Sequence, residues 1–285
     1  MPRVAYVNGR YQPFAEAAVH VEDRGFQFAD GVYEVVAVDD GVLMDEQGHL
    51  ERLGRSLREL QIPWPMSVRA LRQVMREVAR RNRITQGTIY VQVTRGVAPR
   101  DFNYPKGILP TLVVTSRRFN LNPVERVEAG VSVITIPDIR WQRRDIKSVA
   151  LLPQCMGKQR AAEAGAYEAW MVDDSGHVTE GTSSNAWIVT ADGTLVTRHA
   201  NTNILRGITR MAVVGLAQEQ GIGFEERPFT VAEAYAAREA FMTAATNYVM
   251  PITRIDGAPV GDGKPGPVAT GLRQAYRTSR HGGSR

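Results

Sequence analysis

The sequence predicts an α/β protein built as two lobes, each mixing strands and helices, α+β in character rather than a doubly wound sheet. Three observations point there. The apolar pattern switches irregularly between strand-like alternation and helical spacing. Hairpin turn signals recur between strand-like runs, at Asn8-Gly9, Asp40-Gly41, Asp192-Gly193 and Asp256-Gly257. An aperiodic stretch containing Pro123, residues 120–126, breaks the pattern and reads as a linker. The lobes are therefore expected at 1–119 and 127–285.

In the first lobe, Val4 to Val7 and Tyr11 to Phe14 flank the first hairpin turn. Val32 to Val38 is β-rich, and Asp40-Gly41 turns it back into Val42-Leu43-Met44. Leu50, Leu53, Leu57 and Leu60 form one helical stripe. A second helix is expected from Val68 to Asn82, capped by Ser67. Strands follow at Thr88 to Thr94 and Thr111 to Ser116.

The second lobe opens with a strand, Val131 to Ile136. A polar stretch leads to a helix from Pro153 to Ala164. Strands are expected at Tyr167 to Val172, Ala186 to Val189 and Leu195 to Thr197. A helix from Ile208 to Gln220 stops at Gly221. Thr230 and Glu233 make a capping box. Strands Phe241 to Ala244 and Val249 to Ile255 precede a final helix with Val268, Leu272 and Tyr276. Ser279 to Arg285 reads as a polar tail.

The chain is 43% hydrophobic and 23% charged, which argues against disorder and against a fibrous protein. No apolar run approaches the roughly 20 residues of a membrane span. The start lacks a basic segment followed by an apolar one, so no signal peptide is expected. Cys155 is the only cysteine, which excludes an intrachain disulfide. Together these suggest a cytoplasmic protein. The formal charge of +5 suits anionic substrates. The arginines of Arg69 to Arg83 fall opposite Leu71, Val74, Met75 and Val78, so they read as a solvated helix face; no nucleic-acid partner is expected.

His20, His49, His177, His199 and His281 show no metal-ligand spacing, so no metal is expected. There is no Walker A loop, and Ser183-Ser184 lies in no nucleophile elbow. The lysines are more informative, because Lys106, Lys147, Lys158 and Lys264 are the only four among 35 basic residues. Lys158 reads as solvated on its helix. Lys147 borders the apolar run Val149 to Leu152 and follows Arg143 and Arg144. Partial desolvation and nearby cations favour the neutral amine that a Schiff-base lysine requires. A surface pair with Asp145 is the plainer alternative. Glu180, among glycine and small hydroxyl residues, reads either as a carboxylate reaching into a site or as part of a polar turn. Gly207-Ile208-Thr209 opens a helix, where free N–H groups could take a phosphate, or simply caps it.

Six segments, in this order, resemble the class IV, or branched-chain-like, family of pyridoxal-phosphate aminotransferases, nearest to its bacterial D-amino acid group. They are Asp23-Arg-Gly25 with Phe28-Ala-Asp-Gly-Val-Tyr-Glu34, His49-Leu-Glu-Arg-Leu53, Tyr90-Val-Gln-Val-Thr-Arg-Gly96, Asp138-Ile-Arg-Trp141 with Asp145-Ile-Lys-Ser148, the segment Val178 to Asn185 around Glu180, and Gly207-Ile-Thr209. The resemblance implies two lobes with pyridoxal 5′-phosphate in the cleft between them, and a homodimer as working unit. It implies Lys147 as Schiff-base lysine and acid–base group, in the C-terminal lobe. Glu180 would pair with the pyridine nitrogen. Arg52 would hold the phosphate with the backbone of Ile208 and Thr209. Leu205 would pack on the ring, and Ser183 and Ser184 would belong to the cofactor shell. At the late phosphate-contact segment Ala244 and Ala245 lack hydroxyls, leaving only their main-chain N–H groups.

For the substrate carboxylate, the resemblance implies Tyr33 and Arg100, the latter on a loop serving the partner subunit, with Tyr90 nearby. Phe102 stands where the D-selective relatives place a histidine. The expected reaction moves an amino group between a D-amino acid of the D-alanine type and a 2-oxo acid such as 2-oxoglutarate. The alternatives are a branched-chain L-amino acid aminotransferase, an R-amine transaminase and an aminodeoxychorismate lyase.

Overall fold

The computed structural model describes residues 3–282. The last part of the polar tail, residues 283–285, lies outside the described residues. The described residues divide into two compact units, 3–121 with 146–150, and 122–145 with 151–282.

The first unit runs β1 (Val4–Val7), β2 (Arg10–Pro13), α1 (Arg24–Phe28), β3 (Gly31–Asp39), β4 (Val42–Leu43), α2 (Glu46–Glu59), α3 (Val68–Arg81), β5 (Gly87–Thr94) and β6 (Thr111–Arg118). The strands form one sheet in the order β2-β1-β6-β5-β3-β4, with every neighbouring pair antiparallel. Asn8 and Gly9 both take positive φ, as the two-residue turn requires. Ser67 caps α3 by accepting from the Ala70 amide. Leu50, Leu53 and Leu57 of α2 and Leu71, Met75 and Val78 of α3 pack with Val32, Val36 and Val38 in one core. One face of β3 is thereby buried, and Tyr33 is carried on the other by strand alternation.

The second unit runs α4 (Val124–Ala129), β7 (Val131–Pro137), α5 (Leu152–Glu163), β8 (Glu168–Val172), β9 (Val178–Gly181), β10 (Asn185–Val189), β11 (Leu195–Thr197), α6 (Ile208–Glu219), β12 (Phe224–Glu226), α7 (Val231–Ala236), β13 (Glu239–Ala244), β14 (Tyr248–Ile255), β15 (Ala258–Pro259) and α8 (Pro267–Gly282). Its sheet has the order β12-β11-β10-β13-β14-β7-β8-β9, with β15 on β14. Three pairs are parallel, β11 with β12, β14 with β7, and β7 with β8. The Thr230–Glu233 capping box is present at α7. Trp187 and Phe241 stack at 5.3 Å beneath Leu272 of α8 in one core, and Trp170 anchors another.

Two boundaries differ from the sequence reading. The stretch 120–126 is not irregular throughout: Leu121 is fully buried and α4 begins at Val124. Lys147 was expected with the C-terminal lobe, but 146–150 packs with the first unit. The cause is backbone pairing. β4 covers only the Val38–Asp39 end of β3, which leaves the Gly31–Tyr33 end open. There the Tyr33 amide donates to the Lys147 carbonyl and the Val149 amide to the Gly31 carbonyl, both at 3.0 Å. Ile146 inserts into the core of that unit.

Candidate active site

The first unit assembles a lysine–tyrosine cluster. Lys147 is fixed through its main chain, whose amide also donates to Ser56 Oγ of α2 at 3.3 Å. Its Nζ lies 4.3 Å from the centre of the Tyr33 ring. Among the described residues, that ammonium has no hydrogen bond or ion pair. The plainer alternative, a pair with Asp145, is not formed: Asp145 accepts from Arg143 at 3.0 and 3.1 Å. Arg144 lies 3.3 Å from Asp138. The two cations beside Lys147 in sequence are thus each matched by a carboxylate.

Tyr33 and Gln92 are partners in the β3–β5 register, and Tyr90 follows two positions away on the same face. The Tyr33 and Tyr90 rings lie 5.7 Å apart, and the Tyr90 hydroxyl donates to Gln92 Oε1 at 2.6 Å. Burial, with Tyr33 beside it, pushes the Tyr90 phenol up to about 12, so it stays a donor at neutral pH.

On the opposite face of β3, buried Glu34 binds Arg52 through both oxygens and His49 Nδ1 at 2.8 Å. His49 and Arg52 are three apart on α2, hence on one helix face. The Arg100 loop also belongs to this unit. Arg100 is exposed, with its guanidinium over the Phe28 ring.

The second unit builds a carboxylate site. Glu180 is the third residue of β9, not part of a turn between strands, and it is 4% exposed. Arg140 donates to its Oε1, Asn185 Nδ2 to its Oε2 at 2.9 Å, and the Leu205 amide to both oxygens at 3.1–3.2 Å. Burial pushes the Glu180 carboxyl above its ordinary range, opposed by Arg140 and the Leu205 amide. Arg140 also binds Asp138, and the two carboxylates hold its guanidinium charged despite burial. Asn185 Nδ2 bridges to the Leu205 carbonyl at 2.9 Å, which locks Leu205 into the same network.

Beside it, α6 begins at Ile208 after Gly207, with no side-chain cap. Among the described residues, the Ile208 and Thr209 amides have no protein acceptor. Neither has the amide of Ala245, in the turn between β13 and β14. Ser184 Oγ is buried without a partner. Ser183 is different: it is exposed and donates to Glu168 at 2.8 Å, alongside Thr182.

The structure therefore brings Lys147, Tyr33 and Tyr90 together in one unit, and Glu180, Leu205, Ser184, Ile208 and Thr209 in the other. Sequence reasoning assigned no role to Glu34, His49, Gln92, Arg140 or Asn185. All five stand inside the quoted motifs, but most of their partners are distant in sequence and gave no local signal.

Comparison with known proteins follows the same lines. Residues 31–255 match the model of the family described as amino-transferase class IV. The chain is 43% identical to a D-alanine aminotransferase of Bacillus licheniformis, over 95% of both chains. Its fold matches the branched-chain amino acid aminotransferase of Escherichia coli, with a TM-score of 0.91, 25% identity, and 100% of this chain and 97% of that one covered. The branched-chain amino acid aminotransferase of T.th., solved with pyridoxamine 5′-phosphate, gives 0.90 at 26% identity, covering 99% and 95%. With the family model spanning most of the sequence and a relative this similar over nearly its full length, the chain belongs to the class IV aminotransferases.

Proposed function

We propose that this aminotransferase moves an amino group between a D-amino acid of the D-alanine type and a 2-oxo acid such as 2-oxoglutarate, with Lys147 as its catalytic residue. The observation that carries the reading is the unpaired Lys147 ammonium held over Tyr33 by backbone pairing. The 43% identical relative named for D-alanine favours this substrate over branched-chain L-amino acids, where the likeness is 25–26%.

Pyridoxal 5′-phosphate is the cofactor of the class, and the residues present fit it. The group needs an amine, an acid for its ring nitrogen and donors for its phosphate. Lys147 supplies the amine. Glu180 supplies a buried acid held by four hydrogen bonds. The unsatisfied Ser184 hydroxyl and the open amides of Ile208, Thr209 and Ala245 supply donors. Arg52 offers its guanidinium, whose orientation the two bonds to Glu34 fix. Leu205 and Ser183 complete the surround. When bound, the cofactor provides an electron-withdrawing ring that stabilises the charge left by loss of the α-proton.

Lys147 Nζ removes that proton and returns it, a task for which a positioned base contributes about 10²–10⁴-fold. Its backbone anchors fix the direction of approach, which sets the face of the substrate it serves. Glu180 holds a proton at the ring nitrogen, and the Arg140 bond keeps its carboxylate in one orientation. Tyr33 and Arg100 bind the substrate carboxylate, and Tyr90 bounds the substrate alongside Tyr33.

The working unit in this reading is a homodimer in which the Arg100 loop serves the partner subunit's site. Mixing Lys147→Ala and Arg100→Ala chains then forms hybrid dimers with one intact site and raises D-alanine activity above that of either variant alone. A cytoplasmic location suits the single exposed Cys155. Among the described residues, no helix is long and apolar enough to cross a membrane.

Borohydride reduction followed by peptide mapping tests the lysine, and paired kcat/KM values for D-alanine, L-alanine and L-leucine test the substrate. Fixation on Lys147 with D-alanine preferred supports the reading. A preference for L-leucine moves the chain to the branched-chain group.

A further inference from the structure

The loop that carries Arg100 is held by an arrangement that the proposed function does not use. Arg24, 3% exposed, donates from Nη1 to the Asp101 carbonyl at 2.6 Å and from Nε to Asp30 at 2.8 Å. Asp30 is bound in turn by Arg95 through both oxygens, at 2.7 and 3.0 Å. Arg95 donates to the carbonyls of Leu60 and Gln61, and its guanidinium lies 3.5 Å from the centre of the Tyr104 ring. The loop beyond Arg100 is thus tied down twice, by the Asp101 backbone and by the Tyr104 ring.

Phe28 connects this brace to Arg100 itself. The Arg24 and Arg100 guanidinium carbons each lie 4.7 Å from its ring centre. The Phe102 ring packs on Phe28 at 5.7 Å and lies 6.0 Å from the Arg100 guanidinium. A guanidinium stacked on a ring uses its face, which leaves its in-plane N–H groups open for a bidentate carboxylate.

We propose that Phe28, braced by Arg24, is a positioning residue that orients Arg100 for the substrate carboxylate, with Phe102 acting as an aromatic wall and not as a hydrogen-bond donor. The inference rests on the reading of Arg100 as the carboxylate ligand. It explains how the loop works without a histidine at position 102: Phe28 supplies the orientation by stacking. An unstacked Arg100 on an exposed loop samples many rotamers, and binding must then order it. The aromatic face therefore matters for affinity toward the carboxylate and little for the chemical step.

The test uses the full-length holoenzyme with D-alanine and 2-oxoglutarate, and the variants Phe28→Leu, Phe28→Met, Phe28→Tyr, Arg100→Ala and the Phe28→Leu/Arg100→Ala double. Phe28→Leu and Phe28→Met are expected to raise KM for D-alanine about 3- to 30-fold, with kcat changed less than about twofold. Phe28→Tyr, which keeps the ring, restores the parent KM. The double variant is no worse than Arg100→Ala alone, because the stack acts only through the arginine. The proposal is overturned if Phe28→Leu and Phe28→Met leave KM unchanged while Arg100→Ala raises it. It is also overturned if the two effects multiply, or if kcat falls as KM rises. If Arg100→Ala itself leaves KM unchanged, the carboxylate reading fails first and this proposal with it. Melting curves identify a variant that has not folded, and either non-aromatic substitution then suffices with Phe28→Tyr.

Discussion

The carboxylate of Glu34 accepts two parallel hydrogen bonds from Arg52, Nε to Oε1 and Nη2 to Oε2, each at 2.7 Å. Planar groups paired this way fix each other's orientation as well as their charge. Burial raises the Glu34 pKa, but the Arg52 guanidinium and the His49 bond outweigh it and bring it to about 2 from an ordinary 4.5. A depressed carboxyl stabilises the fold above its unfolded pKa and loses that contribution as pH falls through the folded one. Glu34 therefore contributes about 3 kcal/mol at pH 7, lost between pH 4.5 and 2. Glu34→Gln is expected to lower stability by about that much at pH 7, and the gap to the parent narrows across that window. Thermal melts from pH 7 to pH 2.5 check this, and a gap constant with pH contradicts it.

Lys147→Ala is expected to abolish transamination while the fold survives, because its structural bonds come from its main chain. Circular dichroism and a D-alanine assay check both halves. Activity within about tenfold of the parent removes Lys147 from the mechanism. Lys158 is the internal control. Its half-exposed ammonium donates to the Tyr167 carbonyl and lies 3.6 Å from the buried Glu168 carboxylate, a structural tie, so Lys158→Ala lowers the melting temperature but changes turnover by less than about threefold.

Glu180→Gln keeps the shape of the side chain but removes the charge. Asn185 and Leu205 can still bond to the amide oxygen, so cofactor retention changes little. Turnover is expected to fall about 10- to 100-fold, the loss associated with a charged hydrogen bond of about 1.5–3 kcal/mol. The visible spectrum of the holoenzyme moves with it. An unmoved spectrum at full turnover excludes Glu180 as the ring partner.

Arg100→Ala is expected to cost roughly 10–150-fold in kcat/KM for D-alanine. A carboxylate-free R-amine, if turned over, loses far less. Equal losses on both donors point instead to a general role for the loop and favour an R-amine transaminase.

Gly207 has no room for a side chain. An added Cβ would stand 2.0 Å from Asn185 Oδ1, the residue that ties Glu180 to Leu205. Gly207→Ala is expected to destabilise the fold by about 1–3 kcal/mol through overpacking. It also weakens cofactor retention, since α6 and Asn185 must move apart. Denaturant melts and dialysis of the cofactor check the two effects, and parent-like values in both show that the neighbours yield freely.

The local rules that reach a few residues along the chain were enough for most elements. Asn8-Gly9 gave the first hairpin, Ser67 the start of α3, and Thr230 with Glu233 the start of α7, because turns and caps are made by neighbours in sequence. The motif order was enough for the family, and with it came the candidate roles of Lys147, Glu180 and Arg52. Elements too short for a period escaped: α1, α4, β9 and β12 are three to six residues long. Only the tertiary structure decided that Lys147 belongs with β3, since two hydrogen bonds to a strand edge left open by the short β4 place it there. Only the tertiary structure paired Glu34 with Arg52, Arg140 with Glu180, and Phe28 with Arg100. Each of those residues carries a charge or a ring whose partner is chosen by proximity across elements, and no spacing along the chain encodes which buried charge will face which.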